Sequence, residues 1–282
     1  MVYRTVLLFT LALFTVRCSK TESARQLGAE VAIGAGIGTL SSAANLSTTI
    51  PTSLSRTVSQ CGVSAFADTC ASGTKQASYS NCVSATGAKY SGTVTLGFFT
   101  SSAGDPSCNL TSNGNYVIRT FDLTRSETTI QLHATSATHT DYRGNSISGG
   151  YKATKSGKDT YVIEILGSHR VAATAAGLEV YDVSIRTLSS VLLDASSANQ
   201  SLSGGQVEVA HNIAKYVAVF SPVSLSFGSS NCCYPSAGSI NVEYAGSIVG
   251  KGTLSFDGQT CGNVSFAREG QSATTVALAG CE

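Results

Sequence analysis

The 282-residue chain has no tryptophan, one methionine and four prolines, and only 12% of its residues are charged. Ordinary soluble domains carry about 25% charged residues, so this chain does not hold its surface in water with ionic groups. With 42% hydrophobic residues, a wholly disordered chain is excluded. Eighteen Lys and Arg stand against seventeen Asp and Glu. Loss of residues 1–17 would remove Arg4 and Arg17 and leave sixteen against seventeen. A nucleic-acid binder shows a basic surplus or stripe, and no such partner is expected. The polarity lies in hydroxyls instead: 42 Ser and 31 Thr make up a quarter of the sequence. Such a composition suits the exposed faces of strands better than those of helices.

The N-terminus begins with a short basic segment, Met1–Arg4, and an apolar run, TVLLFTLALFTV, over residues 5–16. That run falls short of the roughly 20 residues a membrane-spanning helix needs. It fits a signal peptide over residues 1–17. Cys18 follows at once and resembles the acylated cysteine of bacterial lipoproteins, although Thr15 and Arg17 depart from the usual flanking residues. Lipidation at Cys18 would anchor the chain to a membrane. Ordinary cleavage nearby, giving a secreted chain, is the alternative. Ser19 matches the outer-membrane sorting pattern of such lipoproteins.

Residues 18–60 read as a tether rich in Ser, Thr, Ala and Gly. Within it, VAIGAGIGTL (residues 31–40) imitates a dinucleotide-binding turn. The third glycine of that motif packs helix on strand, and a carboxylate about 20 residues later holds the ribose. Here Thr39 occupies the glycine's place, and no acidic residue occurs between Glu30 and Asp68. No cofactor is expected.

Residues 61–282 form the third region, and there the hydrophobic period is two. Val94, Leu96 and Phe98 share a face; so do Tyr161, Ile163 and Ile165, and Tyr181, Val183 and Ile185 oppose Asp182, Ser184 and Arg186. Val207, Val209, His211 and Ile213 repeat the pattern. This is the signature of half-buried antiparallel strands. The pairs Asn113-Gly114, Ser156-Gly157, Gly204-Gly205 and Asp257-Gly258 read as tight turns. The expected fold is all-β: an antiparallel meander of about twelve to fourteen strands, forming a sandwich or a large curled sheet.

Nine cysteines are an odd number for an exported chain. If Cys18 carries lipid, eight remain as disulfide candidates: Cys61, Cys70, Cys82 and Cys108 near the start, and Cys232, Cys233, Cys261 and Cys281 near the end. Spacing suggests Cys61–Cys70, Cys82–Cys108, Cys233–Cys261 and Cys232–Cys281. No Cys-x-x-Cys pair appears, so no metal site is expected.

The runs YSNC (79–82), SGTVTLGF (91–98), YVIEILG (161–167), YDVSIRT (181–187) and CYPSAGS (233–239), with Cys261-Gly262 and Cys281, resemble Ser/Thr-rich envelope lipoproteins of predatory bacteria of the Bdellovibrio type. The resemblance implies an envelope location. It assigns no catalytic residue.

Chemistry is sparsely signalled. No Gly-x-Ser-x-Gly elbow occurs. Glu164, Glu179, Asp182, Glu208 and Glu243 read as solvated strand residues. His133, His139 and Asp141 share strand parity, but on an extended strand His133 and His139 lie about 20 Å apart. Tyr142, Tyr151, Tyr161, Tyr181, Tyr216 and Tyr244 are equally compatible with a binding face and with a core. The expectation is a lipid-anchored envelope module, not an enzyme, that binds a cell-surface protein or glycan. The alternatives are a secreted hydrolase acting on wall or prey polymer and a structural coat component.

Overall fold

The computed structural model describes residues 70, 72–83, 89–100, 103–104, 107–126, 130–196, 200–227, 234–256 and 263–277. Among them there is no helix. The signal segment, the tether, Cys18, Cys61, Cys232, Cys233, Cys261, Cys281 and the Asp257-Gly258 pair lie outside the described residues.

The chain runs up and down through β1 (Thr74–Val83), β2 (Lys89–Thr100), β3 (Ala103–Gly104), β4 (Tyr116–Ser126) and β5 (Ile130–Thr135). A small hairpin follows, β6 (His139–Thr140) and β7 (Ser146–Ile147), and then β8 (Gly150–Lys155) and β9 (Thr160–Thr174). Next come β10 (Glu179–Ser189), β11 (Val191–Asp194), β12 (Gln200–Ser203), β13 (Gln206–His211) and β14 (Tyr216–Phe227). The last four are β15 (Ala237–Gly246), β16 (Gly250–Phe256), β17 (Asn263–Arg268) and β18 (Thr274–Ala277).

All but β6 and β7 join one 16-stranded antiparallel sheet, whose main path is β1-β2-β4-β5-β9-β10-β13-β14-β15-β16-β17-β18. The extra strands continue rows already present. β5 and β8 both bridge β4 and β9. β10 and β11 both pair with β9, and β12 and β13 both pair with β14. The antiparallel meander is as expected, but the described residues form eighteen strands rather than twelve to fourteen, and sixteen of them join one large sheet rather than the two of a sandwich.

One face of that sheet carries the core. Leu96, Ile163, Val209, Phe220 and Leu254, on five different rows, are each 0% exposed. The buried side chains of the inner face, from Ala77 on β1 to Val276 on β18, form a single cluster. Burying each such side chain contributes about 1.5–3 kcal/mol.

Two turn expectations are corrected. Gly204-Gly205 makes no hairpin; both glycines take positive φ in a kink that joins β12 to β13 within one row. The Gly205 site has no room for a side chain, because a Cβ there would lie 2.3 Å from the Ser190 carbonyl oxygen. The strand expected to reach Ile213 ends at His211, and Asn212–Lys215 turn the chain toward β14.

The cysteine pairing is also corrected. Cys70 is bonded to Cys108, with Cα atoms 5.7 Å apart, which overturns Cys61–Cys70 and Cys82–Cys108. Thr74 stands opposite Gly97, whereas Cys82 stands opposite Tyr90 at the far end of β1. At 3.3 Å per residue the two ends of β1 are about 26 Å apart, so register puts Cys70, not Cys82, beside the connection leading into β4. Cys82 is disulfide-bonded as well.

Candidate functional site

Residues 136–149 leave the row of β5 and β8 and fold across the outer face of the sheet as a strap. Its base is closed where Gly149 N–H donates to the Ser136 carbonyl (3.0 Å) and where the Ser136 amide and hydroxyl clasp the backbone of Phe121. β7 packs on β9 and β10. Gly167 of β9 permits that approach, since a Cβ there would lie 2.3 Å from the Ser148 nitrogen and 2.7 Å from Ile147 Cγ2. Under the strap the alternation of burial breaks down. Ser184, Glu208, Ala210 and Val217 point outward and are nonetheless buried.

The turn of the strap is built on Asp141. Its carboxylate accepts from the amides of Arg143 and Asn145, from the Asn145 side chain, and from the Arg143 guanidinium. Burial pushes this carboxyl up, but those bonds from Asn145 and Arg143 outweigh it and hold it at about 2. Arg143 reaches onward to Glu208 of β13 with two bonds, 2.6 and 2.9 Å, and Arg186 Nε adds a third at 2.9 Å. Burial again works upward on Glu208, while Arg143 and Arg186 bring it below its ordinary value. Tyr142 lies between two cations, Lys215 Nζ at 5.4 Å and Arg143 Cζ at 5.8 Å from its ring centre.

A second network sits beside the first. The rings of His139, on the strap, and His169, on β9, stack with centres 4.2 Å apart. His169 Nε2 lies 2.8 Å from Asp182 Oδ1 and His139 Nε2 lies 2.9 Å from Ser184 Oγ. Asn212 ties them together. Its side-chain nitrogen donates to both Asp182 and Ser184, and its oxygen accepts from the Tyr142 amide. Burial, then the neighbouring His169, lowers the His139 pKa. Burial raises Asp182, but the bonds from His169 and Asn212 prevail and its pKa falls.

A serine, two histidines and an aspartate in contact invite a hydrolytic reading. Ser184, however, is 1% exposed, and His139 Nδ1 points to the Ala137 carbonyl rather than to a carboxylate. A nucleophile must reach its substrate and its base must be oriented; this constellation instead fastens the strap.

Beyond Glu208 the outer face opens into a groove of about 530 Å³ over β13 to β17. One row across it reads Gln206, Ser221, Asn241, Thr253 and Ala267, in register strand by strand. The next contains the exposed pair Glu243–Lys251, 3.6 Å apart. Apart from Ala267, these side chains are amides, hydroxyls and opposed charges, one strand spacing of about 4.8 Å apart.

The expected residues are thus distributed differently from their sequence pattern. His133 pairs with Asp122 at 2.6 Å on the outer face, His139 lies on the strap and Asp141 is turned into the strap's own tip, so the three do not meet. Among the described residues no cluster suited to a metal occurs. Contrary to expectation, Glu208 is buried beneath the strap and Asp182 is half-buried against His169 and Asn212. Glu164 pairs with Lys152 and Glu243 with Lys251. Tyr151, Tyr181, Tyr216 and Tyr244 belong to the core and Tyr161 packs against it; Tyr142 alone of that group lies on the strap. Arg143, Asn212, Gln206 and Asn241 carried no sequence signal, since only cross-strand register and the folding-over of the strap bring them into play. Comparison with known protein families, with curated proteins and with solved structures finds no match to this chain.

Proposed function

We propose that the chain is an exported binding module, anchored in the cell envelope through Cys18, whose outer sheet face engages a polar, uncharged surface such as a glycan. The groove over β13 to β17 carries this reading. Its volume lies within the 300–1,000 Å³ range typical of ligand sites. Its row of amides and hydroxyls offers donors and acceptors in alternation, a composition that adapts to polar partners. The opposed charges of Glu243 and Lys251 give no net attraction to a polyanion or a polycation. An anchor at Cys18 with a tether to residue 60 would hold such a face away from the membrane, and the resemblance to envelope lipoproteins of predatory bacteria agrees with that arrangement.

Affinity electrophoresis of the intact protein through neutral and acidic polysaccharides tests the binding role. Retardation by a neutral polymer, lost in Asn241→Ala/Thr253→Ala, is the expected result. Mobility unchanged in every polymer refutes the glycan reading. Intact mass before and after reduction tests the anchor: a mature chain beginning at Cys18 with added acyl mass supports it, and an unacylated chain beginning elsewhere removes it.

A further inference from the structure

We propose that residues 136–149 are an acid-released cover: protonation of His139 undocks the strap and exposes the outer face of β9, β10 and β13 next to the groove. The inference goes beyond the binding role and does not depend on it.

The hydrogen-bond pattern is best satisfied by a neutral His139 in the docked state. Asn212 donates one amide hydrogen to Ser184 Oγ, so the Ser184 hydroxyl is free to donate to Nε2 of a neutral imidazole at 2.9 Å. A protonated His139 would carry hydrogen on that nitrogen too. The Ser184 hydroxyl hydrogen, 1% exposed, would then lose its acceptor. The new charge would also face the His169 ring at 4.2 Å. His169 has Asp182 at 2.8 Å; His139 has no carboxylate in hydrogen-bond contact, only the Ala137 carbonyl and the Ser184 hydroxyl, and Asp182 and Asp141 act on it from farther away, outweighed by burial and His169.

The carboxylates and guanidinium groups around the strap do not change in the same range. Asp182 and Arg186 of β10, Glu208 of β13, and Asp141 and Arg143 of the strap form the network described above, and its carboxyls are held below their ordinary values. His211 faces the core from β13, and burial lowers its pKa. The sign follows from the lowered His139 pKa. Docking is at full strength above the ordinary imidazole value of about 6.5 and weakens as pH falls through it. Each unit by which docking depresses that pKa corresponds to about tenfold in the docking equilibrium.

The Tyr142 amide reports docking directly, because it donates to Asn212 Oδ1 across the strap–sheet boundary (2.9 Å). Hydrogen exchange of the intact protein, corrected for intrinsic rates, is followed from about pH 7.5 to about pH 3.5, with amides of β14 and β15 as the fold control. Protection at Tyr142 should fall several-fold with a midpoint between about 5 and 7, while β14 and β15 stay protected. His139→Gln, which keeps a polar group against Ser184 but cannot gain a proton, should abolish that fall. Should His139→Gln not fold, the wild-type midpoint decides: a value below about 4.5 belongs to carboxyls and overturns the proposal. Constant protection in the wild type, or the same fall in a folded His139→Gln, overturns it as well.

Discussion

Glu208→Gln tests the mechanical role of the ion network most directly. The Glu208 side chain is 7% exposed, and its carboxylate accepts three bonds from two guanidinium groups. Bonds to charged groups contribute about 1.5–3 kcal/mol each, but this sum must be discounted. Arg143 and Arg186 keep 28% and 31% side-chain exposure, so water re-solvates them when the partner charge is lost, and Arg143 retains Asp141 at 2.7 Å. The amide that replaces the carboxylate would still accept one bond. About 2 kcal/mol of strap docking remains at stake, which corresponds to roughly thirtyfold faster exchange at the Tyr142 amide. The core does not share the loss, since Val207 and Val209 on the opposite face are untouched. Exchange mass spectrometry at neutral pH reads both quantities. A Tyr142 rate within about threefold of wild type, with the core unchanged, would show that the network does not fasten the strap.

Removing the Cys70–Cys108 bridge by Cys70→Ser/Cys108→Ser frees a loop of 38 residues, for which chain entropy predicts about 4 kcal/mol and practice about 2–4. The urea midpoint should fall correspondingly; an unchanged midpoint contradicts the assignment. Gly167→Ala drives a methyl group into Ser148 and Ile147 of the strap. Overpacking of this kind costs about 1–3 kcal/mol, and Tyr142 exchange should rise at neutral pH without loss of the sheet. Asp141 is 3% exposed and held at about 2, below the unfolded value of about 3.9. Its contribution of about 2 kcal/mol is present above pH 4 and is lost as pH falls toward 2. The stability gap between wild type and Asp141→Asn should therefore close over that interval in acid-titrated urea melts; a gap that stays constant refutes the assignment.

Much of the fold was legible because period two is a local property. The alternation at Val94–Phe98, Tyr161–Ile165 and Tyr181–Ile185 marks the inner face correctly in every row. The same alternation failed outward at Ser184 and Glu208. Polarity predicts exposure only where nothing lies above the sheet, and the strap that covers them is hydroxyl-rich and short, without a period of its own. The turn of the strap, DYRGN at residues 141–145, does carry a Gly at positive φ, but a turn signal says nothing about where the turn docks.

Composition and periodicity alone determined that this chain builds an antiparallel meander with a neutral, hydroxyl-rich outer face, because side-chain parity along a strand follows from backbone geometry. Cross-strand register decided the rest. It put Cys70 rather than Cys82 beside Cys108, set Gln206, Ser221, Asn241 and Thr253 side by side, and laid His139 on His169 from residues 30 positions apart. Register is a property of paired strands, fixed by the core they jointly bury, so no single segment of the sequence contains it.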